Sequence, residues 1–143
     1  MIRGVNLGGW LVLEKWITPA LFAGTSAEDE AHLWIELSDR GQRELLRGHR
    51  DSFITERDFA DLASRRIDAV RIPVPYFVFG DHQPILGCID HLDRAFAWAE
   101  RHRIAVPLDL HTVPDSTNCR PEPPPPTCGT CAKPPTGTTS RAR

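Results

Sequence analysis

Apolar residues follow two different spacings along the chain, and these spacings predict strands and helices in alternation. Short apolar runs predict three strands, at residues 1–7, 69–74 and 105–110. Apolar residues at three- and four-residue steps predict four helices, near 28–38, near 40–49, from Thr55 onward and near 88–102. Residues 8–24 contain glycine, proline and aromatic residues and are predicted to form a loop.

Two of the predicted helices have recognisable N-terminal signals. Ser26 with Asp29 three residues later resembles a capping box, in which side chains bind the backbone N–H groups of the first turn. Thr55 with Asp58 shows the same spacing and precedes an apolar stripe that is predicted to face inward. This stripe consists of Phe59, Leu62 and Ala63.

The last predicted helix has a regular apolar pattern. Its inward stripe consists of Cys88, Ile89, Leu92, Ala95, Phe96 and Ala99. Trp98 falls off this stripe, which predicts partial exposure. Cys88 is predicted to be a small core residue.

The first candidate for chemistry is the opening stretch, RGVNLGGWLVLEKWITP at residues 3–19. Two glycines allow a sharp turn, and Trp10, Glu14 and Trp16 follow in quick succession. An aromatic ring can stack on the C–H face of a sugar, while a carboxylate accepts hydrogen bonds from its hydroxyl groups. The stretch is therefore a candidate sugar site. The alternative is a pair of core tryptophans with a surface glutamate.

A charged residue inside an apolar run is the second candidate. Arg71 lies within the predicted strand at residues 69–74. A buried arginine needs carboxylate partners, because an unpaired charge in the interior is very costly. Two interpretations stay open, an internal salt bridge or a functional site.

Four motifs occur in order: RGVNLGGWLVLEKWITP at residues 3–19, FITERDF at 53–59, VRIP at 70–73 and LDLH at 108–111. Together they resemble the family 5 glycoside hydrolases, in particular the branch that includes the exo-β-1,3-glucanases. The resemblance covers residues 1–118. It implies an α/β fold, namely the N-terminal part, with about three βα units, of a (β/α)8 TIM barrel, since such a barrel needs about 250 residues. An open strand edge is then expected on each side.

The resemblance also implies roles for individual residues. Arg71 and His111 would support the catalytic site, because they match an arginine and a histidine that the family carries at the ends of strands. Sugar contacts are implied for Trp10, Glu14, Tyr76 and Asn118. No metal or other cofactor is implied, and the expected partner is a β-glucan or oligosaccharide substrate.

The chain departs from the family pattern at three internal positions. Arg66 and Arg103 follow helices where the family tends to have glycine, and a left-handed residue there costs a non-glycine side chain about 1 kcal/mol. Pro107 lies in the third predicted strand, where the family usually has an aliphatic residue, and it removes a ladder donor. These departures predict a lower local stability.

A retaining glycosidase needs two carboxyl groups about 5 Å apart, one to protonate the leaving oxygen and one to attack the anomeric carbon. The resemblance implies glutamates for both, one in an Asn-Glu pair after strand four and one at strand seven. The sequence contains no Asn-Glu pair. The implied function is hydrolysis of β-1,3-glucan or a cellulose-like β-glucan with retention, and this chain alone is expected to be inactive. The alternative is a non-catalytic glycan-binding or interaction fragment.

The composition changes after Asn118. Residues 119–143 contain seven prolines, three cysteines and no Val, Ile, Leu, Phe, Trp or Tyr, which predicts a disordered Pro/Cys-rich tail. A shifted reading frame and a genuine proline-rich linker are both open as explanations. Three cysteines fall short of the four ligands of a usual zinc site, so no metal site is predicted.

Charge and hydropathy narrow the remaining function classes. A net charge of -2 does not favour nucleic-acid binding, and no run of about 18 apolar residues suits a membrane span. No basic region followed by an apolar one opens the chain, so a cytoplasmic location is expected, or a secreted one if an upstream signal has been lost. The oligomeric state is left open.

Overall fold

The computed structural model describes residues 1–82 and 84–113, and the three strands in these ranges form one parallel sheet. The strands are β1 (Gly4–Asn6), β2 (Ala69–Val74) and β3 (Leu108–Leu110), in the order β1-β2-β3. All three predicted strands are present, with β2 at the centre. The outer two are shorter than predicted.

The helices lie in the two connections between the strands. The first connection contains α1 (Pro19–Phe22), α2 (Glu30–Asp39), α3 (Arg43–Ser52) and α4 (Glu56–Ser64), and the second contains α5 (Ile89–His102). The helix α1 lies in the segment 8–24 that was predicted to be a loop. It was not predicted, because its four residues are too few to show a periodic pattern. Within the described ranges, no helix is long and apolar enough to cross a membrane.

The N-terminus of α2 differs from the prediction. Asp29 is the N-cap, and its carboxylate accepts a hydrogen bond from the backbone N–H of His32 at 2.9 Å. Ser26 instead donates its backbone N–H and its hydroxyl to the carboxylate of Glu36. The capping box predicted from Ser26 is therefore wrong, and Ser26 ties the preceding loop to the side of the helix.

The N-terminus of α4 agrees with the prediction. The backbone N–H and the hydroxyl of Thr55 both bind the carboxylate of Asp58, at 2.8 and 2.7 Å, in a capping box. Phe59 is fully buried, and Leu62 and Ala63 pack against the same core. The polar cap and the apolar stripe together set where this helix begins and which face it buries.

The main core lies between β2 and the helices α4 and α5. Val70, Ile72 and Val74 are buried, since alternate residues of a strand face the same side. The helical members of this cluster are Phe59, Leu92, Ala95 and Ala99. A second cluster joins α2 and α3 to the loops that follow β1 and β2. Its members include Leu13, Leu33, Trp34, Leu37, Leu46 and Phe77.

The buried stripe of α5 is narrower than predicted. It runs through Leu92, Ala95 and Ala99, which are all buried. Phe96 is 41% exposed, so its prediction as a core residue is wrong. Trp98 is partly buried and packs against the core. At about 100° per residue the two aromatic residues lie on opposite flanks of the stripe, and the neighbouring core packs against the flank that carries Trp98.

Pro107 does not break the pairing of β2 with the third strand. The strand β3 begins at Leu108, one residue later, and an isolated bridge joins Ala105 to Ala69. The backbone N–H of Ile72 donates to the carbonyl of Pro107 at 3.2 Å. Proline lacks a donor but keeps its acceptor, and the bond to β2 needs only that acceptor.

Two arginines have the left-handed backbone that was predicted for them. Arg66 follows α4 with φ of 60°, and Arg103 is the C-cap of α5 with φ of 57°. This conformation brings the side chain of a non-glycine residue close to its own backbone. Both positions are therefore expected to store local strain.

Replacing Arg66 or Arg103 by glycine is expected to stabilise the fold by up to about 1 kcal/mol each, because the strain is removed. Chemical unfolding followed by circular dichroism measures this change. Arg65→Gly is the matched control, since Arg65 is a neighbouring helix-end residue with an ordinary φ of -85°. The control should be neutral or destabilising, and an equal gain in stability at Arg65 would contradict the explanation by strain.

Candidate functional site

A cluster of polar side chains lies on one face of the sheet and includes the C-terminal end of β1 and the residue after β3. Asn6 is the last residue of β1, Arg71 lies in β2, Asp109 lies in β3 and His111 follows β3. Asn6 lies opposite Arg71 in the register of β1 with β2. Because successive residues of a strand face opposite sides, Arg71 lies on the face of β2 away from the core. The helices cover one face of the sheet, and this polar cluster occupies the other.

Arg71 binds two neighbours through its guanidinium group. Nη2 donates to Oδ2 of Asp109 at 2.5 Å, and Nη1 donates to Oδ1 of Asn6 at 2.9 Å. The side chain of Arg71 is 42% exposed and that of Asp109 is 31% exposed. The salt bridge considered for Arg71 is present, but it is only partly buried, which leaves the pair open to a ligand.

Backbone hydrogen bonds hold the residues beyond β3 beside the end of β2. The N–H of His111 donates to the carbonyl of Val74 at 3.0 Å, which continues the pairing of β2 with β3. Thr112 is buried, and its Oγ1 accepts from the N–H of Tyr76 at 3.0 Å. The ring of His111 reaches Oδ2 of Asp109 through Nδ1 at 2.6 Å. The position of this ring is therefore set from both the backbone and the side chain.

Glu14 borders the same space from the loop after β1. A Cβ atom at Gly8 would lie 3.1 Å from Nδ2 of Asn6 and 3.5 Å from Oε1 of Glu14. Oε2 of Glu14 accepts a hydrogen bond from Nε1 of Trp16 at 2.9 Å, and Trp16 is 74% exposed. An exposed aromatic ring thus lies beside a carboxylate at the edge of the cluster.

The turn that directs this loop requires glycine at position 9. Gly9 has φ of 72°, a region in which glycine is favoured. A Cβ atom there would also lie 2.6 Å from Cγ2 of Ile17. The predicted sharp turn is confirmed, and it separates β1 from the buried residues that follow.

The chain is similar in sequence to part of two named glucan 1,3-beta-glucosidases. The chain is 48% identical over 122 residues to the probable glucan 1,3-beta-glucosidase A of Emericella nidulans. It is 42% identical over 125 residues to glucan 1,3-beta-glucosidase 1 of Schizosaccharomyces pombe. Each match covers 82% of this chain, and no family model matches it.

Two solved structures have a similar fold. The crystal structure of AoRut matches with a TM-score of 0.68 and 29% identity over 82% of this chain and 34% of its own. The rutinosidase from Aspergillus niger matches with a TM-score of 0.65 and 27% identity over 79% and 33%. The chain is therefore similar in sequence and in fold to part of these proteins. It spans about 30% of the length of the curated relatives named above.

The structure corrects one of the residues predicted to bind sugar. Trp10 is fully buried, and its Nε1 donates to the carbonyl of Arg50 at 2.8 Å. Its ring stacks on that of Trp98 with 6.5 Å between centroids. The predicted sugar contact by Trp10 is therefore wrong, because the turn at Gly9 sends the chain into the core. The core alternative holds for Trp10, while Trp16 provides the exposed ring.

The other three predicted sugar contacts lie in different parts of the chain. Glu14 borders the polar cluster, and its role as a sugar contact stays a prediction. Tyr76 follows β2 and is partly buried, with its ring 4.9 Å from that of His82, and its contact with a sugar likewise stays a prediction. Asn118 lies outside the described residues, as does the predicted tail at 119–143.

Asp109 and Asn6 are members of the polar cluster that were not among the predicted site residues. Each is a polar residue between two apolar neighbours in a strand, within Val-Asn-Leu and Leu-Asp-Leu. The same signal selected Arg71. Had it been applied to all three strands, it would have found both residues.

The described residues offer neither a group that could hold a metal ion nor a reactive thiol. No group of three or more His, Cys, Asp or Glu side chains that could hold a metal ion occurs among the residues described. Cys88 is buried, as predicted, and burial raises the pKa of its thiol to about 12. A thiol with so high a pKa is not a useful nucleophile near neutral pH.

Proposed function

We propose that this chain forms the first three βα units of a (β/α)8 barrel that hydrolyses β-1,3-glucan or a related β-glucan with retention. One observation carries the proposal: Asn6, Arg71, Asp109 and His111 meet on one face of three parallel strands, with Asn6 at the C-terminal end of β1 and His111 directly after that of β3. Active sites of such barrels lie at this face. Relatives whose names describe glucan 1,3-beta-glucosidases support the choice of substrate.

The apolar face of β3 supports the barrel. Leu108 and Leu110 pair in register with Ile72 and Val74, which the helices bury. The two leucines are nevertheless 48% and 66% exposed. In a barrel each strand is followed by a helix that covers this outer face, so a helix after β3 would bury both leucines.

The described carboxylates at the cluster are suited to positioning. Glu14 accepts from Trp16, while Asp109 accepts from Arg71 and lies within hydrogen-bond distance of His111. Neither matches the acid or the nucleophile that the family resemblance implies, both of which belong to later strands. This part of the barrel would bind and orient the sugar, and the two catalytic glutamates would come from strands four and seven.

The first test measures sugar binding and hydrolysis with the purified chain. Calorimetric titration with laminari-oligosaccharides should show binding, and a reducing-end assay should show no hydrolysis. Arg71→Ala should weaken binding by about tenfold or more, because hydrogen bonds to a charged group are lost. Arg94→Ala is the matched control, since Arg94 forms an exposed ion pair on α5 with Asp51. A folded chain that binds no β-glucan, or binds it equally well without Arg71, would contradict the proposal.

A non-catalytic glycan-binding fragment is the second candidate, and it is favoured by the absence of an Asn-Glu pair from the sequence. Sequencing the encoding DNA through and past codon 118 separates the two. Another frame that encodes an Asn-Glu pair and a later glutamate would support the hydrolase, and restoring that frame should restore hydrolysis. If no frame continues the barrel, binding without hydrolysis is the expected function.

A further inference from the structure

We propose that Asp109 positions both Arg71 and His111, and that it holds the imidazole of His111 in the tautomer protonated on Nδ1. The Nε2 atom is then a hydrogen-bond acceptor, suited to a sugar hydroxyl group. Only the identity of the ligand rests on the proposed function. The tautomer follows from the described contacts.

The contacts around one oxygen atom carry this assignment. Oδ2 of Asp109 lies 2.6 Å from Nδ1 of His111 and 2.5 Å from Nη2 of Arg71. A carboxylate only accepts hydrogen bonds. The short contact with His111 therefore requires a proton on Nδ1, and in the neutral ring Nε2 is left without one.

The contact between Arg71 and His111 competes for the same ring nitrogen and is the longer of the two. Nη2 of Arg71 lies 3.5 Å from Nδ1 of His111. A guanidinium group only donates, so a protonated Nδ1 cannot accept from it. At 3.5 Å the contact with Arg71 is at the limit of hydrogen-bond length, whereas Oδ2 of Asp109 lies only 2.6 Å from Nδ1. The proton on Nδ1 is therefore assigned from the shorter contact.

The carboxylate has a defined position of its own. Asp109 lies in β3 opposite Pro73. The neighbouring pairs in this register are Ile72 with Leu108 and Val74 with Leu110. The backbone of His111 is bound to Val74, so both residues are anchored to β2. Their side chains are 31% and 30% exposed, which leaves the ring accessible to a ligand.

The tautomer can be measured without any sugar. Nitrogen NMR of histidine-labelled protein at alkaline pH distinguishes a protonated from an unprotonated ring nitrogen, and the signal of His111 is assigned by its loss in His111→Gln. The wild type is expected to show His111 protonated on Nδ1. Asp109→Ala should shift the ring towards protonation on Nε2. Asp109→Asn keeps an oxygen acceptor at the same place and should retain most of the wild-type tautomer.

Asp51→Asn is the matched control, because Asp51 makes the corresponding contact with Nε2 of His91 at 2.9 Å on α5. It should leave the signal of His111 unchanged. Circular dichroism shows whether each variant is folded, and the isosteric Asp109→Asn keeps the test open if Asp109→Ala is not. A wild-type ring protonated on Nε2, or a tautomer that does not respond to Asp109→Ala in a folded protein, would overturn the proposal.

Sugar binding then tests the role of Asp109 as a positioning residue. Asp109→Ala should reduce the affinity for a laminari-oligosaccharide by about tenfold or more, comparable to the loss of one hydrogen bond to a charged group. Asp109→Asn should lose less, since it preserves the tautomer. If the tautomer changes as expected but the wild type binds no β-glucan, the proposed function fails while the assignment of Asp109 stands. If β-glucan binds equally well to all folded variants, the positioning role is wrong.

Discussion

Replacing Arg50 by alanine is expected to lower the free energy of unfolding by about 3–5 kcal/mol, because it leaves a buried carboxylate without its charged partner. Nη2 of Arg50 lies 2.9 Å from Oε1 of Glu30, and the two side chains are only 2% and 3% exposed. Chemical unfolding followed by circular dichroism measures the loss. Arg94→Ala is the control, since its pair with Asp51 is exposed and should contribute no more than about 1 kcal/mol.

The large effect also reflects how many parts of the chain this pair joins. The carboxylate of Glu30 accepts from the backbone N–H of Leu13 at 2.9 Å. Nη1 of Arg50 donates to the carbonyls of Leu86 and Gly87 at 3.0 and 3.1 Å. The pair therefore connects α2 and α3 with the loop after β1 and with the segment before α5. A loss no larger than that of Arg94→Ala would show that the pair contributes little.

The pH dependence of Arg50→Ala provides an independent check. Burial raises the pKa of Glu30 above its ordinary value, while the charge of Arg50 and hydrogen bonds oppose this effect. Without Arg50, the positive charge that lowers the pKa of Glu30 is lost, and burial raises this pKa further. Glu30 then binds a proton more tightly in the folded state than in the unfolded state. Stability should then rise as the pH falls from neutral towards about 4.5. The deficit of Arg50→Ala relative to the wild type should shrink over that range, and a deficit that grows on acidification would contradict the explanation.

Trp10→Ala is the second substitution with a large expected effect. Trp10 is fully buried, so its removal should leave a cavity and lower the free energy of unfolding by about 3–5 kcal/mol. Trp16→Ala is the matched comparison, because Trp16 lies in the same loop but is 74% exposed. Its effect on stability should stay within about 0.5 kcal/mol.

The same two variants separate the buried tryptophan from the exposed ring beside Glu14. Titration with a laminari-oligosaccharide should show weaker binding to Trp16→Ala, although this variant is as stable as the wild type. Unfolding curves and titrations on both variants provide the full comparison. If Trp10→Ala were as stable as the wild type and lost only sugar binding, the core position of Trp10 would be incorrect.

Several features could be predicted because their causes are local in sequence. The strand β2 has the predicted bounds Ala69–Val74, since its apolar run is short and continuous. The cap of Thr55 by Asp58 was predicted from a three-residue spacing that brings both side chains to the first helical turn. The left-handed arginines after α4 and α5 were predicted from the resemblance, because the family tends to have glycine at these helix ends.

Other features depend on which segments meet in space. Trp10 and Trp16 are the same residue type and lie six positions apart, yet Trp10 is buried and Trp16 is exposed. The turn at Gly9 and the packing of α3 and α5 decide between them. Ser26 and Asp29 are likewise both suitable caps, and the hydrogen bonds of Ser26 with Glu36 leave that role to Asp29.

The sequence by itself determined the order of the three strands and of four of the five described helices, the bounds of β2, and Arg71 as a charge that needs a partner. It also carried the motifs through which the chain resembles glycoside hydrolases. Only the tertiary structure decided that Asp109 is that partner and that the same oxygen contacts His111. The reason is that Arg71 and Asp109 are 38 residues apart in the chain, and only the parallel register of β2 with β3 brings their side chains together.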